Sequence, residues 1–471
     1  MPLATLALAI LLGGYLRFVN LDTLELSADE GASWAAATAP SMFQVVRAQA
    51  RLNPGELGLH DVALHLWIAA AGDSLIAMRS LSAVAGTLAI VMVFFVTREI
   101  LALSSFRDAP QTAPAPAHDI ADDKLLAAIA ALLFAVNLVT IKYSREARMY
   151  PLALALTLGQ VGSFLRALRR SRATDYAATA ALTALAISAT FSAILVLIPE
   201  GLYVTLVLVR SRQRAAARVA RCVAALVGGL LLLTPPLILY LHARGGAPDA
   251  ATWDWISRPS IGAPIALFNK ATGTYGFPLL AILVVTGVAR GWAWRREAIS
   301  YLLLWTFAPP LILTIVSFAI RPAFVERYLL ASFAPFFILA TIGLLELRPP
   351  AFRPGALALV VAVALAHDAD WYAKAHGDQW AEATAVAATG LTANGAIGVA
   401  PRYAANVVRY YLRNMQSAPA VAPLDSQPPP AVVIVGDTYA AAHAADLAPR
   451  YPHLLAHLRG LVVLRSVVSR E

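Results

Sequence analysis

Long apolar runs separated by short polar segments dominate the chain from its start to about residue 367. Runs of roughly 17–25 apolar residues are long enough to cross a bilayer as α-helices. They lack the strict alternation that a membrane β-barrel requires. The pattern therefore predicts an α-helical polytopic membrane protein with about eleven transmembrane helices, at about 2–20, 76–102, 124–141, 151–168, 175–190, 192–209, 222–242, 276–290, 298–319, 328–345 and 355–367.

The pattern changes after residue 367. Short apolar runs rich in β-branched residues, AIGVAP, AVVIVG and LVVLRSVV, are typical of buried strands. An amphipathic stretch, RYAANVVRYYLRN, lies between the first two. The order of strand, helix and strand predicts a small α/β domain outside the membrane. We therefore expect a transmembrane module over 1–367 and an extracytoplasmic domain over 368–471.

The first outer loop, about 21–75, is unusually long. It contains two stretches with apolar residues at helical spacing, one beginning SADEGASW and the other LHDVALHLW. Both stretches are too short and too polar to span a bilayer. Amphipathic helices of this kind lie in the membrane interface, and we expect the two stretches to do so.

Composition supports the membrane assignment and restricts the partners. The chain is 59% hydrophobic and 14% charged, whereas a soluble domain carries about 25% charged residues. Its net charge of +9 would suit nucleic acid, but the basic residues cluster on alternate loops, as the positive-inside rule requires. We exclude nucleic acid and expect contact with membrane lipids. The alternation predicts a cytoplasmic N-terminus and a periplasmic C-terminal domain. A composition rich in Ala and Arg but poor in Lys suggests a GC-rich bacterial genome, so we expect a bacterial inner membrane.

Two adjacent acids, Asp29 and Glu30, follow the first apolar run. Ser27 and Glu30 have the S-x-x-E spacing of a capping box, in which Glu30 closes the start of a helix. Asp29 has no part in that motif. A carboxylate at a helix N-terminus near the bilayer can act as a general base toward a hydroxyl or an amine. A helix cap, a solvated loop and a catalytic role are all open for this pair.

Two outer loops break the positive-inside rule. Their segments KYSREARMY and RPAFVERY carry Lys142, Arg145, Arg148, Arg321 and Arg327. Arginine at a membrane boundary is costly without a partner, although snorkelling toward lipid headgroups would explain any single one. Arg145 and Arg148 are three residues apart, so both would share one face of a helix. Paired guanidinium groups favour a phosphate or pyrophosphate, whose oxygens they bind bidentately.

Four segments follow one another along the chain: SADEGASW, HLWIAAAGDSLIAMRSLSAVAG, YSREARMY and ERYLLASFAPFFILA. Their order resembles the GT-C superfamily of polytopic glycosyltransferases, in particular the branch of protein O-mannosyltransferases and lipid A aminoarabinose transferases. The first resembles the family's acidic motif in the first outer loop, and the third its Tyr-Ser-x-Glu-x-Arg-x-Tyr motif. The resemblance covers most of the chain and is strongest over 1–170.

The resemblance implies a GT-C fold and an inverting transfer of a sugar from a polyprenyl-phosphate-sugar donor to a periplasmic acceptor. The acceptor is left open among a glycolipid, lipid A, a polysaccharide and a protein. Asp29 and Glu30 would be the catalytic residues. The donor phosphate would be held by Lys142, Arg145, Arg148 and Arg327, with support from Tyr143, Tyr150, Tyr328, His60, Asp61 and Arg79.

Other polar residues carry weaker signals. His60, Asp61 and His65 are conceivable metal ligands, but a tetrahedral site needs at least three protein ligands, and no regular spacing supplies them. No cofactor is predicted, and a divalent cation stays open. The acids and histidines over 367–378 are interpreted as solvated surface.

The alternative function is a transporter or flippase for polyprenyl-linked sugars, or a binder of these lipids that does not catalyse transfer. Transporters usually contain paired repeats with broken helices near the midplane. This sequence shows no internal repeat, and its outer charges cluster at one face. Both features favour a surface active site.

Overall fold

In a computed structural model the chain is described over residues 1–103, 120–211, 216–245, 256–374, 376–391 and 395–466. These residues form two compact units. The helical unit comprises Met1–Val19, Gly55–His60 and Arg79–Ala373. The mixed unit, which combines helices with one sheet, comprises Asn20–Pro54, Asp61–Met78 and Lys374–Glu471.

The described part of the chain is mainly helical. Its α-helices are, in chain order, α1 (Pro2–Phe18), α2 (Ala28–Ala37), α3 (Met42–Leu52), α4 (Leu59–Ala71), α5 (Leu75–Leu101), α6 (Ile120–Ala135), α7 (Leu138–Ser144), α8 (Tyr150–Arg170), α9 (Ala173–Ala189), α10 (Leu197–Ser211), α11 (Ala216–Leu232), α12 (Thr234–Arg244), α13 (Ala263–Ala319), α14 (Phe333–Leu345), α15 (Phe352–Ala373), α16 (Trp380–Thr389), α17 (Ala405–Leu412), α18 (Asp437–Ala442) and α19 (Ala444–Arg450). Short 3-10 helices occur at Phe191–Val196, Glu326–Ser332 and Arg402–Ala404.

Every predicted span falls on helix, but the count of eleven is not confirmed. Seven helical stretches of the described residues are long and apolar enough to cross a membrane, or eight if the bent pair α6 and α7 forms one span. The sequence count also includes α1 and α9, which have only 17 residues each. It divides α13 into two spans, and the backbone of α13 is indeed non-helical at Arg295, between those two predicted spans.

Where the sequence predicted two helices in the first outer loop, the structure has three. The stretch that begins SADEGASW is divided into α2 and α3, because Ser41 caps a new helix by accepting a hydrogen bond from Gln44 N at 3.4 Å. The second stretch forms α4. Their location in the membrane interface stays a prediction.

The break between α6 and α7 turns the chain by 65°. Asn137 caps α7, because its side-chain oxygen accepts a hydrogen bond from Thr140 N at 3.1 Å. The buried guanidinium of Arg17 donates to Ala135 O at 2.9 Å and to Thr140 Oγ1 at 3.1 Å. Arg17 thus satisfies a carbonyl that the end of α6 leaves unpaired. The motif that follows, KYSREARMY, starts from this break.

The mixed unit contains the small α/β fold that the sequence predicted. Its strands are β1 (Ala396–Ala400), β2 (Ala420–Pro423), β3 (Val432–Gly436), β4 (His453–Leu458) and β5 (Leu461–Arg465). The sheet order is β2-β1-β3-β5-β4, with β1 parallel to β2 and β3, and β5 antiparallel to β3 and β4. The predicted runs are β1, β3 and β5. Strands β2 and β4 were missed because they are partly exposed along the two edges of the sheet, and so lack a buried apolar signature.

Two glycines let α13 and α14 approach closely. A Cβ atom added at Gly343 would lie 1.7 Å from Leu283 O, and one added at Gly287 would lie 2.6 Å from Leu339 O. Membrane helices gain packing at such crossings because small residues bring the backbones together. The crossing therefore depends on having no side chain at either position.

We expect Gly343→Ala to destabilise the helical unit by at least about 1–3 kcal/mol, the usual cost of overpacking, and to lower the melting temperature in detergent. Gly355→Ala is the matched control, because an added Cβ there meets nothing within 4 Å. A melting temperature of Gly343→Ala equal to that of the control would contradict the close crossing.

Candidate functional site

The acidic pair lies at the start of α2 in the mixed unit. Ser27 Oγ accepts from Glu30 N at 3.3 Å, and a Glu30 carboxylate oxygen accepts from Ser27 N at 3.0 Å, so the predicted capping box is present. Glu30 is buried, whereas Asp29 is half-buried. Partial desolvation raises the pKa of the Tyr403 hydroxyl, and the negative charge of Asp29 acts in the same direction. Asp29 therefore lies near Tyr403, with its carboxylate outside the cap.

Helix α2 is seated on α17 through Gly31. A Cβ atom added at Gly31 would lie 2.8 Å from Val407 Cγ2 and 2.9 Å from Val407 N. Ahead of α2, Leu26 N donates to the Tyr411 hydroxyl at 2.8 Å. The glycine of the segment ADEGAS is therefore required for the contact that sets the position of Asp29.

Asp73 joins two motifs of the mixed unit that are far apart in sequence. Its Oδ2 accepts from Trp34 Nε1 at 3.2 Å and from Arg413 Nε at 2.9 Å. Its backbone oxygen accepts from the Tyr410 hydroxyl at 3.2 Å. The Arg413 guanidinium lies 3.6 Å from the centre of the Tyr410 ring. Asp73 thus ties α2 to α17.

The basic motif of the helical unit does not form the single helix face that its spacing predicted. Helix α7 ends at Ser144 and α8 begins at Tyr150, so both Arg145 and Arg148 lie in the turn between them. Pro151 explains the new start, because proline is suited to the first turn of a helix and unsuited to its interior. The two guanidinium groups consequently point to different neighbours.

Arg145 is buried against the end of α15. It donates to Val19 O, and its guanidinium lies 4.8 Å from the centre of the Tyr372 ring and 5.9 Å from that of Trp371. Burial lowers the pKa of Arg145; Tyr372 opposes that shift, and the positive charge of Arg79 adds to it. Arg79 and Arg145 are therefore two buried like charges in one neighbourhood, an arrangement that an anion would stabilise.

Arg148 and Arg327 come together at one ring. Their guanidinium carbons lie 5.9 Å and 5.6 Å from the centre of the Tyr150 ring. Tyr143 packs edge-on against Tyr150 at 5.5 Å, and its hydroxyl donates to Glu326 Oε1 at 3.3 Å. The cluster thus collects side chains from the two predicted outer motifs into one place.

A small cavity of about 30 Å³ opens beside this cluster. Tyr150, Arg327 and Tyr328 contribute to its wall. The other lining side chains are mainly apolar or small hydroxyl groups, and come from Ala153, Leu154, Thr157, Thr190, Ser192, Ala193, Leu195, Val196, Trp305, Pro309, Leu329, Leu330, Ala331 and Ser332. The cavity therefore combines a cationic edge with a largely apolar interior.

The remaining predicted site residues lie elsewhere. The Lys142 ammonium stands 5.1 Å from the centre of the Tyr143 ring, so it borders the cluster. His60 belongs to the helical unit and Asp61 to the mixed unit, where it accepts from Asn53 Nδ2 at 3.4 Å. His65 Nδ1 lies 2.7 Å from Ala37 O. Among the described residues, no three His, Cys, Asp or Glu side chains are arranged to hold a metal ion.

Sequence reasoning missed several residues that hold the site. Asp368, interpreted as solvated surface, is instead 2% exposed and lies within electrostatic reach of Arg17. Its position on the last span, facing a charge inside α1, explains the burial. Glu326 forms an ion pair with Lys270 at 2.6 Å as well as binding Tyr143. The sequence did contain one signal for the buried pair of Arg17 and Asp368, because Arg17 is a lone charge inside an apolar run and such a charge needs a partner.

We expect Asp73→Ala to loosen the mixed unit, since Trp34 and Arg413 each lose a hydrogen-bond acceptor, at a cost of about 1–3 kcal/mol. Hydrogen–deuterium exchange should speed up in α2 and α17. Asp22→Ala, which removes an exposed acid of the same unit, should leave exchange unchanged. Unaltered protection of both helices in Asp73→Ala would show that Asp73 does not join them.

No protein-family model matches the chain, and no curated protein sequence matches it. The crystal structure of ArnT from Cupriavidus metallidurans in the apo state matches with a TM-score of 0.66 at 14% identity, covering 99% of this chain and 98% of that one. ArnT from the same organism bound to undecaprenyl phosphate matches with a TM-score of 0.63, again at 14% identity and with 99% and 98% coverage.

The S. cerevisiae protein O-mannosyltransferase Pmt1-Pmt2 complex bound to the sugar donor overlaps 57% of this chain and 36% of its own, at 14% identity and a TM-score of 0.36. That overlap is too poor to bear on the fold. The two ArnT structures, at low identity and nearly full coverage, establish the fold alone. The chain therefore has an ArnT-like fold, as the resemblance in its motifs predicted.

Proposed function

We propose that the chain is a membrane glycosyltransferase that moves a sugar from a polyprenyl-phosphate-sugar donor to an acceptor. The observation that carries the proposal is the pair Arg148 and Arg327 at the Tyr150 ring, beside a largely apolar cavity. Two cations at the edge of an apolar cavity suit an amphiphile with a phosphate head. ArnT, which shares the fold, has been crystallised with undecaprenyl phosphate, so this lipid is the natural first donor carrier to test.

The reaction that this chemistry supports is an inverting displacement at the anomeric carbon. The acceptor oxygen or nitrogen forms the new bond to that carbon, while the bond from carbon to the phosphate oxygen breaks. The phosphate keeps the electron pair and leaves as polyprenyl phosphate. Arg148 and Arg327 neutralise its charge, so no general acid is required. Lys142, Arg145 and Arg79 add positive potential, and Tyr143 and Tyr328 border the same cluster.

In this proposal the carboxylate of Asp29 acts as the general base and accepts the proton that the acceptor loses as it attacks. Glu30 occupies the capping box, so its role in this proposal is to hold the start of α2 and thereby position Asp29. A cap of this kind contributes about 1 kcal/mol, which makes it a structural contribution. We further propose a bacterial inner-membrane location, with a cytoplasmic N-terminus and a periplasmic C-terminal domain, from the distribution of basic loops.

We expect Asp29→Asn to reduce kcat by about 10²–10⁴-fold, the usual contribution of a general base, with donor binding retained. Glu30→Gln is the matched control, because glutamine also closes a capping box, and it should keep most of the activity. Purified protein in nanodiscs, a panel of polyprenyl-phosphate sugars and acceptor from a bacterial membrane extract allow release of free polyprenyl phosphate to be followed. Equal losses in the two variants would remove the distinction between Asp29 and Glu30.

We expect Arg327→Ala to raise the KM for the donor by about 10- to 100-fold, since a hydrogen bond to a charged group contributes about 1.5–3 kcal/mol. The control is Arg321→Ala, which removes an exposed arginine from the same outer segment. Donor titrations in the same release assay measure both. An unchanged KM in Arg327→Ala would exclude a phosphate contact at this guanidinium.

The same assay separates transfer from transport. Tight donor binding without release of polyprenyl phosphate, identical in the wild type and in Asp29→Asn, would favour the transporter or the non-catalytic binder. Release that requires the membrane extract and collapses in Asp29→Asn would support the transferase and identify the donor sugar.

A further inference from the structure

A second, open pocket of about 650 Å³ lies in the mixed unit, at the carboxyl ends of its parallel strands. The end of β1 contributes Val399 and Ala400 to the wall. Leu424 and Asp425 directly follow β2. Tyr439, on α18, follows β3. The pocket is therefore lined by residues at or just after the carboxyl ends of β1, β2 and β3.

The order of the strands makes this place a topological switch point. From β1 the chain passes through α17 to β2 on one side, while β3 lies on the other side of β1. From β3 the chain continues away from β1, through α18 and α19, to β4 and β5. Connections that leave two adjacent parallel strands in opposite directions open a crevice between them, and open α/β sheets bind ligands in that crevice.

The side chains around the pocket are polar and balanced in charge. Nη2 of Arg402 donates to both carboxylate oxygens of Asp425, and this hydrogen bonding holds the pKa of the Asp425 carboxyl below its usual range. Arg450 donates to Leu424 O at 3.1 Å, and Asp446 stands on the same wall. The two arginines are matched by the two aspartates. The wall therefore offers many hydrogen-bond donors and acceptors without a net charge.

An aromatic surface completes the wall. The rings of Tyr439 and His443 are stacked, with centres 4.0 Å apart and planes inclined by 12°. Buried Ala400 and Leu447 are among the apolar lining residues. Aromatic faces supply rigid contact area for the apolar side of a ligand, and the tyrosine hydroxyl adds a polar group.

We propose that this pocket binds a neutral oligosaccharide. Sugar rings present adjacent hydroxyls, which carboxylates accept from and guanidinium groups donate to, and their C–H faces suit an aromatic surface. The balanced charge disfavours a phosphate or another multiply charged anion. The volume of about 650 Å³ lies within the range of about 300–1,000 Å³ that is usual for small-molecule pockets, so a short oligosaccharide has room.

The binding itself is independent of catalysis by the chain. The further statement that the bound oligosaccharide is the glycan part of an acceptor rests on the proposed function. Binding is therefore measured without donor, and turnover is measured separately. A chain that binds the oligosaccharide but releases no polyprenyl phosphate would overturn the proposed function alone.

The test uses the full chain in nanodiscs with mannotriose, maltotriose, cellotriose and chitotriose as probes, followed by saturation-transfer difference NMR. We expect saturable binding of at least one trisaccharide, weakened at least tenfold by Arg402→Ala and by Asp425→Asn. Arg409→Ala is the matched control, because Arg409 is exposed on the same unit and lies outside the pocket lining. It should bind like the wild type.

Asp425→Asn keeps the size of the side chain and changes only an exposed position, so a folded variant is expected, and its melting temperature verifies this. Three outcomes would overturn the proposal. These are no binding of any of the four probes, equal binding by the pocket variants and Arg409→Ala, and competition of inorganic phosphate for the same site at lower concentration than any sugar.

Discussion

The buried guanidinium of Arg17 is the contact on which the candidate donor site depends. Desolvating a charge is costly, so an arginine inside a membrane unit persists only where its donors are satisfied. Arg17 binds Gly13 O, Ala135 O and Thr140 Oγ1, and Asp368 supplies a nearby negative charge. These partners fix α7 at the 65° break after α6. The basic motif and the cluster around Tyr150 start from that helix.

Close packing of α5 against α7 and Arg17 stabilises the same position of α7. A Cβ atom added at Gly86 of α5 would lie 2.0 Å from Ser144 Oγ and 3.1 Å from Arg17 Nε. Ser82, one turn earlier on α5, donates to Arg148 O at 3.1 Å. Helix α5 thus packs against the end of α7 and holds the backbone of the turn that carries Arg145 and Arg148. A loop that places cations beside a cavity has to be held in this way, because a mobile arginine would lose side-chain entropy on binding a phosphate.

In the mixed unit, the position of the acidic residue Asp29 is likewise fixed by contacts of its neighbours. Glu30 closes the cap of α2, Gly31 allows α17 to approach, and Asp73 joins both helices. Asp29 is the residue of this segment that none of those contacts requires. The separate pocket at the ends of β1, β2 and β3 arises from sheet topology and not from these motifs.

The amino-acid sequence by itself determined the apolar helices, the capping box and the three central strands, because each depends on local periodicity or on residues three or four apart. It also marked Arg148, Tyr150 and Arg327, since charges at a membrane boundary are conspicuous in a one-dimensional pattern. Only the tertiary structure decided that Arg145 and Arg148 diverge, because Pro151 starts a new helix and the turn before it is shaped by α5. Only it revealed that Asp368 is buried near Arg17 rather than solvated. Which side chains are buried, and which residues from distant segments contact one another, depends on how the helices pack. A local sequence pattern contains no information about that packing.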